Sequence, residues 1–369
     1  MTVDRLGGST DVDAAYGWGM ATSGRSYVDW DLARATGRKF VSDGPETTAK
    51  NAAAVVADLR QAAANALQPV ADTARMDSGP AASCDVHVVD RGGWIDVNVN
   101  STAALLSPVL DKMTSKKSAG PVAVAIGAKI TGAQIGALLG FVAPKILGQF
   151  DLAPEGRPSL LLVAPNIVAV ERELELDSHD FRTWVCLHEE THRVQFTAVP
   201  WLRQHMIDRS RGLMNDVMPD PDAMQERLQH AVKALPDALK GGGNGLIDLF
   251  TTAEQREQLA ALTAVMSLLE GHADVVMDDV GPKVVPTVAQ IREKFDERRT
   301  GAGGVDRLLR RLLGLEAKMR QYRDGAVFCR AVIDKVGVDG FNEIWTSPET
   351  LPSAPEIAAP QDWVARVHG

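Results

Sequence analysis

His188 and His192, in the run W-V-C-L-H-E-E-T-H-R-V-Q-F (184–196), stand four residues apart, with Glu189 directly after the first. On a helix, positions four apart lie one turn above each other on one face, so both imidazoles can meet a single metal ion. Glu189 is turned by about 100° along the helix and can reach a water on that ion rather than the ion itself. Two ligands and a general base are the parts that metal-assisted hydrolysis needs. Three fixed letters also arise by chance, so the neighbours have to be weighed. Trp184 and Leu187 give the helix a side to bury, and a leucine-rich, β-branched run precedes it. That context favours a metal site.

A catalytic zinc takes three protein ligands and keeps a further position open. S-L-L-E-G-H-A-D-V-V-M-D-D (267–279) supplies candidates for the third. Glu270 and Asp274 share a helix face, so one carboxylate can bind metal while the other accepts the free ring N–H of a ligand histidine and fixes its tautomer. His272 competes, but it lies about 200° from Glu270, and one ion cannot readily take both. Glu270 is favoured because E-x-x-x-D brings ligand and orienter together. His272 then becomes a candidate for substrate contact from the rim. Such acidic pairs are more often a solvated face, but here Leu268, Leu269, Val275 and Val276 point to burial on one side. His87, His179 and His205 read as surface or internally satisfied residues.

These groups need a scaffold, and 369 residues suffice to bury a sizeable core. A net charge of −9 offers no broad basic face, so nucleic acid is not an expected partner. Cys84, Cys186 and Cys329 are odd in number, far apart and without a C-x-x-C pair, which excludes thiolate zinc sites and redox pairs and makes a disulfide framework unexpected. The first residues show no basic stretch leading into an apolar one, and the expected compartment is the cytoplasm.

Helical periodicity dominates. Residues 46–70 read as an alanine-rich helix. D-V-H-V-V (85–89) reads as a strand followed by a turn at Gly92-Gly93. Residues 120–149 are apolar, with Gly132, Gly136 and Gly140 at the spacing of close helix packing. Lys129 and Pro144-Lys145 interrupt the run before the roughly 20 residues of a bilayer span, so a buried helix of a soluble core is expected. Residues 159–176 read as a strand, and Pro165 marks it as an edge. An exposed edge can pair with an extended peptide, which would bring Asn166 beside the substrate.

Asp177 or Ser178 can cap the helix that carries the histidines, and Pro200 ends it. Further helices are expected over 201–216, 221–235, 253–280, 286–299 and 304–337, with a flexible glycine loop at 239–245. The expected fold is mainly α with a small mixed β-sheet (α+β). Residues 1–79 form an N-terminal segment, and residues 80–369 form the domain that bears the site.

LLLVAPNIVAVERELELDSHDFRTWVCLHEETHRVQF, SLLEGHADVVMDDVG and LLGLEAKMRQYRDGAVFCRAV together resemble an actinobacterial zincin-like metallopeptidase family found in genomes that make a deazaflavin coenzyme. VVDRGGWIDVNVNS and KILGQFDL are similar to it as well, so the likeness spans about residues 80 to 365. The resemblance implies a zincin-like metallopeptidase fold, Zn2+ as cofactor, and a peptide or protein substrate. It implies His188 and His192 as ligands and Glu189 as base. In the broader gluzincin group a downstream E-x-x-x-D supplies the third ligand, a pattern that Glu270 and Asp274 match. His272 and Tyr322 remain candidates for steadying the oxyanion. The alternative is a non-proteolytic protein that keeps zinc on a retained zincin scaffold, and a third possibility, a membrane-associated protease using residues 120–149, requires that segment to partition into bilayers.

Overall fold

Three short strands make the sheet among the described residues. They are β1 (Asp85–Val89), β2 (Gly148–Asp151) and β3 (Ser159–Val163), in the order β1-β3-β2. β1 runs parallel to β3 and β2 antiparallel to it, so the sheet is small and mixed, and the rest is helical. The computed structural model describes residues 27–77, 79, 84–115, 120–217, 252–300 and 315–369. The helix expected over 221–235, the glycine loop and the side chain of Tyr322 lie outside the described residues. The chain divides into two units: residues 1–198 with 279–292, and residues 199–278 with 293–369.

In the first unit the helices are α1 (Trp30–Phe40), α2 (Ala49–Ala74), α3 (Arg91–Ser115), α4 (Pro121–Val142), α5 (Ala164–Glu173) and α6 (Ser178–Ala198). Register sorts the sheet's two faces. Val89, Leu161 and Val163 join Ala33, Trp94, Ile95 and Val99 in one core, against α1 and α3. Gly148 and Phe150, opposite Leu162 and Leu160, turn to the other face, towards α6.

Two local expectations are corrected here. Gly92 and Gly93 lie in the first turn of α3, because the Asp90 carboxylate accepts the Gly93 N–H at 2.6 Å and caps a helix start. Pro165 likewise opens α5, where the missing N–H has no helical partner to lose. β3 is therefore the buried central strand, and the edges are β1 and β2. Asn166 is buried and committed to the fold. Its amide donates to the carbonyls of Ala143 and Ile146 at 2.7 and 2.5 Å, and its oxygen accepts from Arg91 Nε at 2.6 Å. A substrate has no access to it.

The glycine stripe does what its spacing implies. A Cβ on Gly132 or Gly136 would strike the backbone carbonyls of Asp29 and Ala33, so α1 lies backbone to backbone on α4. The rest of α4 is not buried, contrary to expectation. Only 22% of its apolar window is covered, because composition does not reveal how many faces find a partner.

α2 is tied to α6 by Arg182. Its guanidinium donates to both Glu171 oxygens, at 3.0 and 2.7 Å, and to Asp58 at 3.0 Å. Burial works against its charge, but the bonds to Glu171 and Asp58 outweigh that and hold its pKa above the ordinary value. Arg182→Met should cost about 3–5 kcal/mol, because it strands the buried Glu171 carboxylate. Denaturant titration should show this loss, and Arg182→Met with Glu171→Leu should recover part of it.

The second unit holds α7 (Leu202–Val217), most of α8 (Ala253–Val284), α10 (Leu315–Asn342), α11 (Ala354–Ala358) and α12 (Pro360–His368). α9 (Val288–Thr300) starts in the first unit. α10 kinks at Gly337, whose φ of 76° suits glycine. α8 and α10 touch where Gly271 meets Gly325. A Cβ on Gly271 would overlap the Gly325 carbonyl, and one on Gly325 would overlap that of Ser267.

Candidate metal centre

α6 begins at Asp177, whose carboxylate accepts the Asp180 N–H at 2.9 Å. Asp180 in turn accepts the Thr287 N–H and hydroxyl at 2.8 and 2.6 Å, so the helix start is pinned. Phe181, Val185, Cys186, Leu187 and Val194 are buried, which fixes the helix rotation and leaves His188 and His192 on the half-buried side.

The two imidazoles converge. Their ring centroids are 4.7 Å apart, and His192 Nε2 lies 3.2 Å from His188 Nε2. Two nitrogens about 2.0–2.1 Å from one tetrahedral zinc would be separated by about 3.3–3.4 Å. The pair already has the spacing of a tetrahedron edge. His192 Nδ1 lies 3.0 Å from Gln195 Oε1, which can only accept and so suits the tautomer with its proton on Nδ1 and its lone pair on Nε2. Gln195 was not anticipated, although its place three residues after His192 on one face is legible in the sequence.

Glu189 is buried and lies over β2. A Cβ on Gly148 would come within 2.5 Å of its Cγ and Cδ. The strand thus carries no side chain where the base must lie. Gly148→Ala fits an extended backbone but displaces the carboxylate, so zinc should be retained while turnover falls about 10²-fold, as misplacement by roughly 1 Å can do. Metal analysis alongside a rate measurement checks both halves. Two residues on, Phe150 stacks on Phe196 with centroids 5.1 Å apart.

Glu190, next in sequence, is fully buried with its oxygen 2.7 Å from Arg193 Nε. Burial pushes its carboxyl up to about 7, although Arg193 pulls the other way. Arg193 also donates to the Cys84 carbonyl at 3.1 Å and ties α6 to the start of β1. Burial pushes the Cys84 thiol up to about 11 and raises Cys186 and Cys329 as well.

On α8, Glu270 and Asp274 are half-buried. His272 is buried, with its ring 5.3 Å from that of Phe341 and 5.5 Å from that of Trp345. This places it in an aromatic core, not at a substrate rim. Among the described residues, His188, His192 and Glu270 each offer a ligand atom, and these atoms lie within 4.8 Å of one another. A His-His-Glu set suits zinc and leaves a coordination position open.

A family model described as zincin-like metallopeptidase matches residues 28–364. No curated protein matches. Among solved structures, a chain from Chloroflexus aurantiacus, described provisionally as a hydrolase with a novel fold, is similar at 30% identity. The likeness has a TM-score of 0.65 and covers 92% of this chain and 99% of that one.

Proposed function

Since the chain belongs to the zincin-like metallopeptidase family, we propose that it hydrolyses peptide bonds with Zn2+ held by His188, His192 and Glu270. The observation that carries this reading is the 3.2 Å approach of the two Nε2 atoms on the helix that also presents Glu189. Zinc, when bound, lowers the pKa of water and polarises a carbonyl. Glu189 accepts the proton of the attacking water and delivers it to the departing amine. Gln195 keeps His192 in the tautomer that can ligate. We assign Asp274 the role of accepting the free ring N–H of a ligand histidine.

β2 replaces residues 159–170 as the strand that pairs with an extended substrate, being an edge strand with Gly148 at the base. The similar chain's provisional description as a hydrolase is in keeping with this chemistry. The resemblance to deazaflavin-associated relatives supplies the finer family assignment, and a cytoplasmic location follows from the cysteine usage.

The purified chain should hold about one zinc, by the three-ligand argument. It should cleave members of a peptide library, and chelation should abolish cleavage. Zinc without cleavage of any peptide would favour the second reading, a zinc-binding protein on a retained scaffold. An intact, buried Glu189 over a bare glycine weighs against that reading, since a structural zinc has no use for a base.

A further inference from the structure

α4 has one face closed by backbone contact with α1 and another that is apolar and open. Val122, Ile126, Ile130, Leu138 and Phe141 recur along that open face at helical spacing, and Phe40, at the end of α1, lies beside Gly140. These six are between 41% and 73% exposed. A monomer's largest apolar patch is about 300–600 Å² and is often functional, and exposed large side chains such as these six are what such patches are made of.

The charges on α4 itself have one sign, whereas on the packed α1 Asp29 lies beside Gly132 and Asp31 is exposed. From residue 121 to residue 145 the chain carries Lys129 and Lys145 and no carboxylate, and Lys39 adjoins Phe40. Lys145 Nζ sits 4.3 Å above the Phe141 ring, so an ammonium rides on the apolar surface at the rim. An isologous dimer would set this face against itself, lysine against lysine. An anionic lipid surface meets the same lysines with opposite charge, and it needs no shape complementarity to accept the aliphatic stripe.

We propose that the outer face of α4 docks this protein onto anionic membrane surfaces. The helix lies in the plane of the interface rather than across the bilayer. Its inner face is occupied, with Asp29 N–H donating to the Ala128 carbonyl at 3.0 Å and the Gly132 and Gly136 contacts closing the seam. The stripe would sink about 5–10 Å into the headgroup boundary, with the lysines reaching back to phosphate.

The test is sedimentation of the full chain with vesicles of equimolar phosphatidylglycerol and phosphatidylcholine, against phosphatidylcholine alone. Binding to the anionic vesicles that weakens with added salt is expected. Lys129→Glu and Lys145→Glu should each lower it by about fivefold or more, one lysine near such a surface contributing about that factor. Ile126→Glu with Leu138→Glu should abolish it without altering zinc content or circular dichroism, since both side chains are exposed. Absence of vesicle binding, or full binding by that double variant, would overturn the proposal. So would light scattering that shows a wild-type dimer split by the same variant, which would make a second copy the occupant.

Discussion

Glu189→Gln should leave the metal in place and reduce peptide hydrolysis by about 10²–10⁴-fold, the usual contribution of a positioned general base. The substitution keeps the shape that lies over Gly148 and removes only the capacity to take a proton. Metal analysis and single-turnover rates on the same preparation separate the two effects. Parallel loss of zinc and rate would mean that Glu189 supports the site structurally. Normal turnover would remove it from the chemistry. The result is read together with Gly148→Ala, which moves the carboxylate instead of neutralising it. Two variants that both lose rate and both keep zinc would assign the step to the position of this one group.

The parts of this arrangement differ in how far they can be read from the chain. H-E-x-x-H is local: one helix, one face, a fixed rise per residue, and an Asp177 cap that sets its start. Gln195 is equally local and could have been read by the same i, i+3 rule that pairs helix neighbours. Gly148 could not, because its meaning depends on the antiparallel pairing of β2 with β3, which puts a strand residue over a helix residue 41 positions away.

Proline and glycine misled where they have two uses. Pro165 and Gly92-Gly93 are breakers inside an element but are harmless in a first turn, and the deciding feature at Gly92-Gly93 is the Asp90 cap. Asn166 and His272 are buried in the fold for a related reason. Polar side chains beside a site are as often spent on backbone carbonyls or aromatic packing, and only tertiary structure tells which. The glycine stripe of α4 was legible as a contact seam, whereas the open face opposite was not. Hydropathy reports what a helix would bury and is silent on what is there to bury it.

The ligand set makes the second large prediction. His188→Ala with His192→Ala should abolish stoichiometric zinc binding, and full retention of zinc would sink the assignment. Glu270→Ala should weaken binding severely, since it removes one of three protein ligands. Asp274→Asn keeps the shape of the side chain and weakens its acceptor, so the expected cost is about 10–100-fold in affinity or activity. His272→Ala should leave zinc in place, because its ring is engaged with Phe341 and Trp345, although the loss of that packing should lower stability. Competition with a zinc chelator puts all four variants on one scale. The ordering is the informative result: the histidine pair first, Glu270 next, Asp274 smaller, His272 unchanged. If His272→Ala lost zinc while Glu270→Ala kept it, the E-x-x-x-D half of the site would be wrong, and only the helix that carries His188 and His192 would stand.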